Sequence, residues 1–180
     1  MLRFRLLHLL VPLSALLLLA ATSFHYPDLP NPQLTSGIAC PGVTVEMLSH
    51  PGFTAEVRKY GTPDGKKITG KIKHQVYLEY GITSHKSGEY EIDHLISLEL
   101  GGSNDIKNLW PQPYHGPWNA HQKDRLENEL HRRVIHGEMK LEDAQREIAE
   151  NWIALYQQLF PGERDAVGPQ NNGEPDDGNS

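Results

Sequence analysis

An adjacent acid–imidazole pair, Asp93-His94, stands in a run suited to strands, Tyr90 to Leu100 (YEIDHLISLEL). Asn108 follows fourteen residues after His94, across a Gly-Gly-Ser-Asn-Asp loop. The chemistry these residue types fit is hydrolysis of a phosphodiester. That bond is anionic and resists attack by water, so it needs a cation on the phosphate and leaving oxygens and a base for the water. A carboxylate is a hard oxygen ligand for such a cation. An imidazole kept neutral near pH 7 can take the proton. An Asp-His pair alone is weak evidence, since such pairs arise by chance in many proteins, and a surface Asp–His hydrogen bond is the alternative to a catalytic role. Adjacent residues point to opposite faces of a regular strand. The pair can serve one phosphate only where the strand twists, bulges or ends, so an irregularity is predicted at Asp93–His94.

The elements that must position the pair follow from pattern. After the strand and the loop 101–105, Asn108-Leu109-Trp110 starts a second short extended piece, which Pro111 and Pro113 are expected to stop. A helix is predicted from about Ala120 to His136, with Asn119 as N-cap, Gln122 three residues later and Gly137 as terminator. Leu126, Leu130 and Val134 form its apolar stripe. A second helix is predicted over about Leu141 to Phe160, with Ala144, Ile148, Trp152, Leu155 and Leu159 on one face. Upstream, Lys73 to Tyr80 reads as a short helix ended by Gly81. The order around the pair is strand, loop, strand, helix, helix.

Taken together, Asp93-His94, the loop Gly101–Trp110 and the following polar helix resemble the HNH endonucleases of the ββα-metal superfamily. The match covers about residues 89–133. The run from Lys123 to Trp152 also resembles the tail of small exported HNH-type proteins. The resemblance implies an α+β fold: a small ββα-metal hairpin-plus-helix core, an additional C-terminal helix and flexible termini. It implies Asp93 as metal ligand, His94 as general base, and Asn108 fixing the loop and the base by hydrogen bonds. It implies a divalent ion, Mg2+ or Mn2+ first and Zn2+ as an alternative. The helix-borne ligand stays open. His121, in the first helical turn, is the leading candidate, but at 100° per residue it lies opposite the Leu126–Leu130 stripe. Glu127, nearer the stripe, is the runner-up. The chain lacks the Cys-x-x-Cys pairs of one common HNH pattern. Glu91 and Glu99 read as solvated strand carboxylates.

The sequence has 180 residues, 17 Lys+Arg against 23 Asp+Glu, and one cysteine, Cys40. A disulfide framework and a polybasic coat protein are therefore excluded. Basic charge is nonetheless concentrated in residues 57–73, where Arg58, Lys59, Lys66, Lys67, Lys71 and Lys73 face only Asp64. A solvated loop is the plain reading of that segment. The sharper one is a surface for substrate phosphates, carried by Arg58, Lys59, Lys66 and Lys67. The expected partner is nucleic acid, DNA and potentially RNA. No recognition helix or zinc finger is visible, so weak sequence specificity is expected.

Residues 1–23 read as a signal peptide: Arg3 and Arg5, an apolar run Leu6 to Leu19, then small residues. Residues 24–36 read as an extended leader, 37–161 as the nuclease domain, and 162–180 as a disordered acidic tail. The expected address is the periplasm or the exterior, without stable membrane association once the signal is removed. The sequence leaves the oligomeric state open. A non-catalytic exported binding domain on the same scaffold is the competing reading.

Overall fold

The computed structural model describes residues 28–162. The expected signal peptide, residues 24–27 of the leader and the tail from 163 onward lie outside the described residues. Among the described residues the fold is α+β, with five α-helices and one two-stranded antiparallel sheet. In chain order these are α1 (Val45–Leu48), α2 (Phe53–Tyr60), α3 (Gly70–Glu79), β1 (Tyr90–His94), β2 (Leu109–Pro113), α4 (Ala120–Ile135) and α5 (Leu141–Leu159). Among the described residues no helix is long and apolar enough to cross a membrane.

β1 is shorter than the strand-like run suggests. It ends at His94, and Leu98–Leu100 form a 3-10 turn instead. β2 is longer than expected, because Pro111 and Pro113 lie inside it. The register explains their tolerance. Leu95 N donates to Asn108 O and Tyr114 N donates to Glu89 O, so hydrogen-bonded pairs alternate through Asp93–Trp110 and Glu91–Gln112. Pro111 opposite Ile92 and Pro113 opposite Tyr90 fall at the other positions, where a backbone N–H would point away from β1.

The hairpin lies between two layers. Trp110 on one face packs into the core with Leu126, Leu130 and Val134 of α4 and Ala144, Ile148 and Trp152 of α5. Leu126, Leu130, Ala144, Ile148 and Trp152 are fully buried. Each large apolar side chain buried this way contributes roughly 1.5–3 kcal/mol, the main force holding α4 against the hairpin. α4 begins with the expected capping box of Asn119 and Gln122. In α5, Asn151 leaves helical geometry and its Oδ1 accepts from Ala154 N, so it caps the second half of a kinked helix. On the other face, α3 packs against β2, and Thr35 donates to Leu109 O at 2.8 Å. Thr35 is buried, so the packed body begins before residue 37.

α3 begins three residues earlier than the sequence suggests, with Thr69 capping Ile72 N. The basic segment 57–73 is only partly a loop. Arg58 and Lys59 lie in the last turn of α2, where positive charge complements the helix dipole. The turn at Thr62-Pro63-Asp64-Gly65 is as expected, with Gly65 N donating to Thr62 O and Thr62 N to Lys66 O.

Candidate active site at the end of β1

Asp93 and His94 are the last two residues of β1, and their side chains take partners in different layers. Asp93 shares a face with Glu91, Gln112 and Trp110, the face α4 covers. His94 looks the other way, toward the 62–66 turn.

On the α4 side stands Lys123, 1% exposed. Its Nζ donates to Asp93 Oδ2 at 2.6 Å, to His94 O at 2.6 Å and to Glu127 Oε1. The three N–H bonds of the ammonium are thus all used. Burial alone would lower the affinity of Lys123 for its proton, but the Asp93 and Glu127 carboxylates outweigh it and hold the lysine charged. Burial pushes the Glu127 carboxyl up, against the pull of Lys123. Glu91 departs from the solvated state expected of it. It is half-buried on the α4 face and accepts from the Tyr114 hydroxyl at 2.8 Å. Burial, then the nearby Asp93 charge, pushes its carboxyl up to about 7.

On the opposite side, His94 is 8% exposed and its Nε2 lies 2.8 Å from Asn104 Oδ1. Burial lowers the imidazole pKa, only partly offset by the Asp93 charge and the Asn104 bond, so the ring is neutral at pH 7. Its Nδ1 has no hydrogen bond among the described residues. Asn104 is tied down in turn, with Nδ2 donating to Lys66 O at 3.0 Å and its backbone N to Thr62 Oγ1 at 3.3 Å.

Asn108 is wholly buried and uses its entire amide on the backbone. Oδ1 accepts from Ile38 N at 3.1 Å and Ile96 N at 2.9 Å, while Nδ2 donates to Ile96 O and Ser103 O, both at 2.9 Å. It therefore fixes the loop, half of the role the resemblance implies. The hydrogen bond to the His94 ring comes from Asn104 instead. The loop also needs its second glycine, since a Cβ on Gly102 would lie 1.7 Å from Ile96 O.

No family model, curated protein or solved structure matches the chain. The chemistry of the site therefore stands on its own geometry.

His121 does not join Asp93. It is exposed, its backbone N is capped by Asn119, and its ring lies 6.3 Å from that of Tyr114. Glu127 does approach Asp93, but with Lys123 between them. Among the described residues no three His, Cys, Asp or Glu side chains gather as a metal group. The donor set around Asp93 does not fit a divalent ion as arranged, because the ammonium takes the position an ion would take between the two carboxylates.

The four basic candidates also separate. Lys66 pairs with Asp105 at 3.0 Å and Asp64 at 3.4 Å, so its charge is spent within the turn. Lys59 lies over the Tyr60 ring, 4.9 Å from its centre. Lys67 is exposed. Arg58 is exposed too, and its positive charge contributes weakly to the field at both His94 and Asp124.

Two residues escaped sequence reasoning. Lys123 carried a signal: on a helical wheel it sits about 20° from Leu130, a charge inside the apolar stripe. Asn104 carried none, because Asn between Ser and Asp in a Gly-rich loop reads as turn chemistry.

Proposed function

We propose that the chain is an exported HNH-type endonuclease that hydrolyses phosphodiester bonds in DNA or RNA with low sequence specificity. The observation that carries this reading is the state of His94. It is buried at the end of β1, with burial lowering its pKa, and is bonded through one ring nitrogen and unbonded at the other among the described residues. A neutral imidazole with one open nitrogen can take a proton from an attacking water. Arg58, exposed and in no ion pair among the described residues, is the basic candidate to hold the phosphate. Lys123 supplies the positive charge next to Asp93 and fixes the His94 backbone.

The Mg2+, Mn2+ or Zn2+ ion implied by the resemblance is tested in the same assay that tests the reading. Purified chain is incubated with supercoiled plasmid in Mg2+, in Mn2+ and in EDTA, alongside His94→Ala. Nicking by the wild type that disappears in His94→Ala supports the proposal, and equal nicking by both overturns it. One observation favours the non-catalytic binding domain: Asp93 Oδ2 is already bonded to the Lys123 ammonium. Plasmid retarded on a gel but never nicked selects that second reading.

A further inference from the structure

We infer that Asn104 is a positioning residue which fixes His94 in the tautomer that carries its proton on Nε2, and that the backbone of the 62–66 turn sets Asn104 itself. The catalytic meaning of this rests on the hydrolase reading above, while the tautomer assignment rests on the hydrogen-bond network alone.

The chain of reasoning starts at Lys66 O. A carbonyl oxygen only accepts, so the Asn104 atom 3.0 Å from it is the NH2 group. That orientation turns Asn104 Oδ1 toward His94. An amide oxygen also only accepts, so His94 Nε2 must bring the proton. The neutral ring then carries no proton on Nδ1, and its lone pair is left there, at the nitrogen with no bond among the described residues. The opposite tautomer would set the Nε2 lone pair against the Asn104 oxygen inside a buried site, an acceptor facing an acceptor.

The anchor is itself held. Thr62 N donates to Lys66 O at 2.8 Å, and Thr62 Oγ1 donates to Asp64 Oδ1 at 2.5 Å. Ser103 Oγ, next to Asn104, donates to Asp64 Oδ2 at 2.6 Å. The turn closes only over a glycine. Gly61 has φ +109°, and a Cβ there would lie 2.6 Å from Lys66 O. The basic turn and the imidazole are thus linked by one side chain, Asn104, with no contribution from the α4 layer.

The test reads the tautomer directly. Long-range 1H–15N correlation spectra of the 15N-labelled full chain at pH 8 distinguish a protonated from an unprotonated ring nitrogen. His94 in the wild type is expected to give the Nε2–H pattern. In Asn104→Ala its peaks shift toward the averaged pattern of two exchanging tautomers. His131, whose Nε2 lies 3.1 Å from Leu48 O, is the internal control for an intact fold. A wild-type Nδ1–H pattern for His94 overturns the inference. So does an unchanged His94 pattern in Asn104→Ala with His131 native. The wild-type spectrum needs no variant to fold. An inactive chain with the Nε2–H pattern removes the hydrolase reading and leaves this assignment standing; an active chain with the Nδ1–H pattern does the reverse.

Discussion

Lys123 Nζ lies 2.6 Å from Asp93 Oδ2, joining α4 to the end of β1 across 30 residues of sequence. The lysine is 1% exposed, the aspartate side chain 19%. Pairs so deeply placed hold position more than they add stability, because desolvation consumes most of the attraction. Losing one member is a different matter, since the other charge is then left buried.

Lys123→Met is accordingly expected to cost about 3–5 kcal/mol, read by urea denaturation. The same change leaves Asp93 Oδ2, Glu127 Oε1 and His94 O around one vacated point, all hard oxygen donors. Mn2+ should then raise the stability of the variant well above its effect on the wild type. A variant as stable as the wild type, and indifferent to Mn2+, would show that the ammonium does not bridge the two layers.

Asn108 offers a test of the loop without touching His94. Asn108→Ala strands the backbone N–H of Ile38 and Ile96 and the carbonyls of Ile96 and Ser103. At roughly 1–3 kcal/mol for each buried group left unpaired, a total loss of about 3 kcal/mol or more is expected. A loss under about 1 kcal/mol by urea denaturation would mean the loop closes by other bonds.

These two asparagines mark where the sequence was legible. Both long helices and the Asn119 cap follow from periodicity and residue type, and the α+β class follows from the resemblance; Asp93 and His94 nevertheless take partners on opposite sides of β1. Asn108 was readable as a loop anchor only through the resemblance, which implies that role for it. Asn104 was not, because its importance comes from Lys66 O, a backbone atom 38 residues away that no side-chain pattern encodes. The same holds for β2. Two prolines signal a stop locally, and only the register against β1 makes them harmless. α1 and α2 were missed for a related reason: they are short, and α2 buries only Val57.

Asp64 gives the pH dependence of the turn. Burial opposes its ionisation, but the Ser103 and Thr62 hydroxyls and the Lys66 N–H and ammonium overcome that and hold the carboxyl at about 2, below its ordinary 3.8. A depressed folded pKa means that the unfolded chain binds more protons between those values. The stabilisation is therefore fully present above about pH 4 and fades as pH falls toward 2. Asp64→Asn should be less stable than the wild type at pH 6, and the gap should close between pH 4 and pH 2. A gap that stays constant across that range would remove the charged form of Asp64 from the account of the turn.

Arg58 and Lys66 separate a phosphate contact from a structural charge. Both lie in the basic segment, but Lys66 is neutralised by Asp64 and Asp105, whereas the Arg58 charge reaches His94. A residue that neutralises a phosphate on binding releases counterions, and its removal lowers the salt slope of affinity by about one unit. Binding of fluorescein-labelled duplex DNA, followed by anisotropy between 50 and 200 mM salt (roughly the range over which that release is measurable), should therefore respond unequally. Arg58→Ala is expected to weaken binding and flatten the slope. Lys66→Ala should leave the slope near the wild-type value, because its partners already screen it. If the two variants behave alike, the basic segment acts as a diffuse field and Arg58 has no privileged role in binding phosphate.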